Sequence, residues 1–205
     1  MPRAGLNPTA VVDAALAVLD EAGVDGLTLA AVAVHAGVAT PSLYKHVKGL
    51  GALRDLVAVR VLDELATNCE QAAMGRSTDA ALAAVLHAYR RYGQEHPHRY
   101  AALPQQPADE PELARAGDRA VAVFLAVLRG YGLDGADAIH VTRGLRAAAH
   151  GFVLLEIGGG FGLPEKLDDS YQVLIDTLTA GLRDVSRRWA RTGTDTPPTG
   201  SDRPI

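Results

Sequence analysis

Cysteine is all but missing from this chain. With Cys69 alone, no intramolecular disulfide can form, and the composition fits a reducing compartment. The residues around Cys69 offer no electropositive setting to sharpen its thiol, so we read it as an inert helix residue rather than a redox sensor. Long apolar runs are missing too. Nothing approaches the roughly 18–20 residues a membrane helix needs, and no charged start leads into a signal-length apolar stretch. The expectation is a cytoplasmic protein with no membrane partner. An excess of positive charge is also lacking: 20 Lys and Arg face 24 Asp and Glu, a net charge of −4, which argues against a surface coated in nucleic acid over its whole extent. Finally, the signatures of catalysis are absent. There is no nucleophile elbow, P-loop, metal trio or carboxylate pair at acid–base spacing, so neither an enzyme nor a cofactor is expected. GGGFG after Ile157 follows no strand and precedes no GK[ST], so it reads as a helix stop and a loop. Asp168 and Asp169 more simply open a helix, where negative charge is favoured.

What is present is a globular composition, 48% hydrophobic and 21% charged over 205 residues, dominated by Ala, Val and Leu. That predicts an all-α fold: one domain of average size, or a small domain on a larger one. The charge is unevenly placed. Asp13, Asp20, Glu21 and Asp25 outnumber Arg3 before Thr40, whereas Lys45, Lys48, Arg54 and Arg60 follow with only Asp55 against them. Any basic footprint is therefore local.

The stretch LAAVAVHAGVATPSLYKHV, Leu29 to Val47, has the spacing of two short helices joined by a tight turn. Thr28 can cap the first, whose apolar Leu29, Val32, Ala33 and Ala36 recur at helical spacing. Gly37 sits where the chain must leave through a left-handed conformation. Thr40 and Pro41 then restart a helix, since Pro at the first helical position loses only an N–H that had no partner. That second helix is expected from Pro41 to about Val47, with Leu43 and Val47 facing inward and Ser42, Tyr44, Lys45 and His46 outward. Hydroxyls and ammonium groups suit phosphate contacts, and His or Lys can reach acceptors in the major groove. Spacing alone leaves a second reading open, a solvated helix in an ordinary helical domain.

Around this core, Asn7 and Pro8 repeat the capping logic and open a first helix to about Ala22, stopped by Gly23. A long helix from Leu53 to about Ala73 carries an inner stripe of Leu53, Leu56, Val57, Val61, Leu65 and Asn68, and connects the two parts of the chain. Ser77 or Thr78 caps the next, to about Glu95, and HPHRYAAL reads as a turn. His96 and His98 lack the third ligand a zinc site needs. After a proline-rich loop, helices are expected over 112–131 and from Asp134 or Asp137 to about Ile157. A last one, over 169–188, carries a stripe of Tyr171, Leu174, Ile175, Leu178, Leu182, Val185 and Trp189. That stripe suits either a core or a two-fold helical interface, with small residues such as Gly181 permitting close approach. From Arg191 the tail is rich in Thr, Pro and Gly and is expected to be disordered.

The motifs DAALAVLDEAG, the helix ending HAGV, and TPSLYKHV followed by a helix opening ALRDLV stand in one order from about Leu6 to Val59. This run resembles the N-terminal DNA-binding domain of the TetR family of transcriptional regulators. The resemblance implies phosphate contacts by Thr28 and Ser42, a recognition helix starting at Thr40 and Pro41, a DNA-facing surface of Tyr44 and His46, and base reading at Lys45. The family's phosphate-binding Lys at the start of the following helix is replaced here by Leu50, with Lys48 a substitute two residues earlier. From Leu145 to Leu182 the chain is similar to the C-terminal domain of a subgroup marked by Trp-His-Gly, with His150 and Gly151 in place and Ala149 where Trp would stand.

The resemblance implies a homodimer on a palindromic DNA operator, released by an apolar or amphipathic small molecule in a cavity of the larger domain. Candidate ligand residues are Tyr92, His96, Tyr100, Phe124, His150, Phe152 and Glu156. Candidate interface residues are Leu174, Leu178, Gly181, Leu182 and Trp189. The expected layout is a helix-turn-helix domain over 1–50, a ligand-binding and dimerisation domain over 51–190 and a tail over 191–205. The other function class considered is a helical ligand-carrying or interaction module without specific DNA binding, for which the acidic balance and Leu50 speak.

Overall fold

A computed structural model of the chain describes residues 6–104 and 109–192, with side chains through 189. Those residues form nine α-helices and no strand: α1 (Pro8–Gly26), α2 (Leu29–His35), α3 (Thr40–Leu43), α4 (Leu50–Ala73), α5 (Thr78–Glu95), α6 (Pro97–Ala101), α7 (Pro111–Arg129), α8 (Gly135–Ile157) and α9 (Leu167–Thr192). The all-α expectation holds.

The small N-terminal head is built by α1, α2 and α3 against the start of α4. Asn7 caps α1, its side-chain oxygen accepting from Ala10 N–H at 2.9 Å. Gly23 interrupts the helix with φ +69°, so a kink falls where glycine was expected to stop it, and helical geometry resumes beyond the kink to Gly26. Val11, Ala15 and Leu19 of α1, Val32 of α2, Leu43 of α3, Val47 of the following turn and Leu53 of α4 make a closed apolar centre, none more than 3% exposed. Each large side chain buried there contributes about 1.5–3 kcal/mol.

The body hangs on α4. This helix lies along α5 and α7 while its first turns pack on α1. Its buried positions include Leu53, Val57, Val61, Leu65 and Cys69; Asn68, expected on the inner stripe, is half-buried to one side. Then α5 meets α7, α8 and α9, and α8 meets α7 and α9. Tyr171 of α9 is fully buried and its hydroxyl donates to the Leu86 carbonyl at 2.8 Å, tying the last helix to α5.

Several expected boundaries move. The segment HPHRYAAL holds a short helix, α6, rather than a turn, because α5 ends at Glu95, His96 caps it, and Pro97 starts a new helix at once. The last helix continues to Thr192, past the expected end of the body at 190, and residues 193–205 of the expected disordered tail lie outside those described. Part of the proline-rich loop, residues 105–108, lies outside them as well.

Candidate nucleic-acid interface and body cavity

The N-terminal head is set by local chemistry. Thr28 Oγ1 accepts from Ala31 N–H at 3.1 Å and starts α2. Gly37, at φ +66°, turns the chain out of it, with the Val38 N–H returning to the Ala33 carbonyl at 3.0 Å. Then α3 begins, shorter than expected: four helical residues, followed by a turn over 44–46 rather than helix to Val47. Its N-cap is Ala39, which makes no side-chain cap, and Thr40 is already helical. Without a side-chain cap, a single turn gains too few hydrogen bonds to offset its nucleation and is not stable alone. Tertiary burial holds it instead. Leu43 is fully buried, and its carbonyl accepts from both His46 N–H at 2.8 Å and Val47 N–H at 3.0 Å.

Tyr44 is 59% exposed although it is a large aromatic, and Pro41, Lys45, Lys48 and Thr28 are exposed beside it in sequence or at the entry to α2. Thr40, Ser42 and His46 are half-buried. Leu50 is half-buried and packs on the apolar centre, so this position supplies no charge. Sequence reasoning passed over Val34, which projects from α2 with 81% of its surface exposed.

Below the head lies a cavity of about 420 Å³ bounded by α4, α7 and α8 with Tyr89 of α5 and Leu103 behind α6. Such a volume holds a drug-sized molecule. Most of its wall is apolar: Leu62, Leu65, Ala66, Leu113, Val121 and Phe124. Cys69 lies in this wall as well, its thiol against the Val85 carbonyl and pushed up to about 12 by burial and the nearby Glu70, so it remains protonated and unreactive. The polar exceptions are concentrated on α8, where Thr142, Arg146 and His150 follow one another at four-residue spacing. Tyr100 Oη lies 2.6 Å from His150 Nδ1 and 2.9 Å from Tyr89 Oη. Burial and then the Arg146 charge push His150 below its usual value, so its neutral form is favoured.

The expected ligand residues separate into three groups. Phe124 and His150 line the cavity, and Tyr100, fully buried, stands behind its wall. Tyr92 and His96 are elsewhere, beside a polar groove with Glu64 and Arg99, Tyr92 donating to Glu64 at 2.9 Å. Phe152 and Glu156 belong to a third cluster: Arg90 makes two bonds to Glu156, at 2.8 and 2.6 Å, and lies over the rings of Phe152 and Tyr171. Tyr92, His96, Phe152 and Glu156 therefore do not line the cavity, against expectation and for one reason: each step along a helix turns the side chain by about 100°, so nearby residues look out on different neighbours. The cavity's Thr142, Arg146 and Asp118 were overlooked, although an i, i+4, i+8 polar line on an otherwise apolar helix was visible in the sequence.

Head and body are joined by Arg99 of α6. Its guanidinium takes both Asp20 oxygens on α1, at 2.6 to 3.1 Å, and reaches Glu64 of α4 at 3.3 Å. The next residue, Tyr100, is the one that touches His150. On the far side, Leu182 is only 4% exposed and belongs to the subunit's own core, while Leu174, Leu178 and Trp189 are half-buried against it. Gly181 is exposed in line with Thr177 and Val173, the latter 64% exposed, and Leu155 of α8 is 50% exposed. No group of three His, Cys, Asp or Glu able to hold a metal, and no helix long and apolar enough to cross a membrane, occurs among the described residues.

A recognition turn presented on an apolar three-helix head, carried by one long helix into a hollow helical body, defines a helix-turn-helix regulator. Residues 11–49 match the family described as bacterial regulatory proteins, tetR family, and residues 82–178 match the tetracyclin repressor-like C-terminal domain. The chain is 42% identical over 158 residues to an uncharacterized HTH-type transcriptional regulator of Mycobacterium tuberculosis, covering 76% of this chain and 72% of that protein. It is 36% identical over 182 residues to another from Bacillus subtilis, covering 88% and 95%. The fold matches that of TetR-Q116A from Acinetobacter baumannii in complex with minocycline, with a TM-score of 0.70, 22% identity, and 89% and 99% of the two chains covered. This protein belongs to the TetR family of transcriptional regulators. It is a DNA-binding regulator and not an enzyme.

Proposed function

We propose that the chain acts in the cytoplasm as a homodimeric repressor that grips a palindromic operator and lets go when a small apolar or amphipathic molecule enters the body cavity. The observation that carries the DNA half is the 59% exposure of Tyr44 beside Lys45 and Lys48, on a turn whose neighbours Leu43 and Val47 are buried. A buried anchor under an exposed phenol and two ammonium groups presents a rigid, locally basic edge on an acidic protein. Lys48 stands in for the charge missing at Leu50, and Thr28, Ser42 and His46 flank it, with the start of the turn set by Thr40 and Pro41.

The dimer seam is proposed on the outer face of α9 along Val173, Thr177 and Gly181, bordered by Leu174, Leu178 and Trp189, with Leu155 of α8 beside it. Leu182 supports that face from within. Small residues let two helices approach closely, and a two-fold axis would place the two heads about one DNA turn apart, roughly 34–36 Å.

Release follows from the Arg99–Tyr100 junction. A ligand that prefers one placement of α8 or α6 biases the clamp on Asp20 and so the angle of the head; one that bound both placements equally would shift nothing. The minocycline-bound neighbour supports a ligand site in this fold.

The test is a gel-shift titration at moderate salt with the promoter DNA flanking the protein's own gene against scrambled duplex. One defined site should be preferred, and Tyr44→Ala should weaken it by about 1–3 kcal/mol. Equal binding to both duplexes would instead favour a helical ligand carrier. Val173→Asp together with Leu178→Asp should give monomers by sedimentation, and a surviving dimer would move the seam elsewhere.

A further inference from the structure

Among the described residues, one buried side-chain polar atom has no hydrogen-bond partner: Thr142 Oγ1. Threonine inside a helix ordinarily returns its hydroxyl to the carbonyl four residues back, as Thr179 does here to Ile175 at 2.9 Å. Thr142 does not, although it is 4% exposed, and it lies in the cavity wall. A buried hydroxyl with no partner is costly, so a group that supplies the partner binds with an advantage.

One turn further along α8, Arg146 lines the same cavity, and no described carboxylate pairs with it. The other arginines that cross between helices in this region, Arg90, Arg99 and Arg119, all hold carboxylates. The carboxylate in the cavity lining is Asp118 of α7, exposed and not within ion-pair distance of Arg146. An unpaired guanidinium at the edge of an apolar space, one turn from an unsatisfied hydroxyl, has the chemistry to hold an anion attached to an apolar body.

We propose that the cavity takes an amphipathic organic acid, whose apolar part fills the space between Leu62, Leu65, Val121 and Phe124 and whose carboxylate pairs with Arg146 and, once the Thr142 side chain rotates toward the space, accepts from its hydroxyl. This rests on the reading of the cavity as the ligand site and adds the charge of the ligand to it. Phosphate or sulfate alone would gain the charge contact and forgo the apolar burial, so the site favours acids with a chain or ring.

The test uses three probes of one length and different heads, decanoate, decanol and decylamine, titrated into the full-length protein by calorimetry. Decanoate should bind at least tenfold more tightly than the other two. Arg146→Met keeps the stem of an exposed side chain and should remove that preference while leaving decanol within about twofold. Thr142→Val keeps the shape, should weaken decanoate severalfold and should raise the melting temperature of the ligand-free protein, because the unpartnered hydroxyl is gone. Asp118→Asn should tighten decanoate. Decanol or decylamine binding as well as decanoate, or an Arg146→Met variant with full decanoate affinity, overturns the proposal while leaving the cavity a ligand site. Saturable binding by none of the three overturns it as well and counts against the cavity as a ligand site. Tight decanoate binding that leaves the operator complex intact would refute ligand release alone.

Discussion

Glu156→Gln is expected to destabilise the protein by about 3 kcal/mol, and the figure follows from what the carboxylate holds. Arg90 is 8% exposed at its side chain and Glu156 12%, and two guanidinium N–H groups donate to the two carboxylate oxygens. Gln94 adds a third bond at 3.0 Å. Glutamine keeps the shape and one acceptor but turns an amide NH2 toward the guanidinium, so a charge-assisted bond worth about 1.5–3 kcal/mol is lost. It also leaves a buried cation whose remaining counter-ion is Asp168, 2.8 Å away and 85% exposed, a partner worth at most about 1 kcal/mol. Breaking a buried pair from one side costs about 3–5 kcal/mol, and the rings of Phe152 and Tyr171 against Arg90 keep the cost at the lower end. For a chain of this size that is a drop in melting temperature of roughly 6–12 °C. The assay is urea denaturation at a single protein concentration, with unchanged slope and lowered midpoint. Asp168→Asn should cost under about 1 kcal/mol, and the double variant Arg90→Met with Glu156→Leu should recover most of the loss, since it removes both charges together. If Glu156→Gln costs no more than Asp168→Asn, the burial argument is wrong.

Three further outcomes are expected. Gly37→Ala should cost about 1–2 kcal/mol by the same denaturation assay, because φ is +66° and nothing lies within 4 Å of an added Cβ, so the penalty is backbone strain alone. A neutral change would show that the turn relaxes. Arg99→Met should lower stability by only about 1 kcal/mol, its partner Asp20 being 39% exposed, yet it should loosen the head; hydrogen exchange should speed up in α1 far more than in α9, and equal changes in both would deny the junction its role. His150 is held below its ordinary value of 6.5 by burial and by Arg146, with the Tyr100 hydroxyl of α6 against its ring and Tyr89 of α5 bonded to that hydroxyl. The unfolded chain therefore takes up the proton first as pH falls, so the stability His150 contributes is present above about 6.5 and is lost below it, down to the folded value. Between pH 7.5 and 5.5 the native protein should lose more stability than His150→Gln, and parallel curves would place the titration elsewhere.

The legibility of this chain was uneven for identifiable reasons. Helix limits set by short-range chemistry were readable: Asn7 with Pro8, Thr28, and Gly37 each act within one turn, so three or four residues contain the whole cause. The end of α3 was not, because the helix depends on Leu43 reaching a centre built by residues from Val11 to Leu53. Likewise HPHRY read as a turn when its own neighbours were all that could be consulted, whereas its Arg99 and Tyr100 are held by Asp20, Glu64 and His150, which lie 79, 35 and 50 residues away in sequence.

By itself, then, the order of residues determined the helical class and the outward placement of Tyr44 and Lys45, since periodicity and capping are properties of adjacent residues. Only the packing decided which side of α8 looks into the cavity. Glu156 and His150 stand six residues apart on that helix, yet one faces Arg90 and the other faces the hollow. The physical reason is that a helix offers every face equally until its neighbours arrive, and those neighbours, α5, α7 and α9, come from distant parts of the chain.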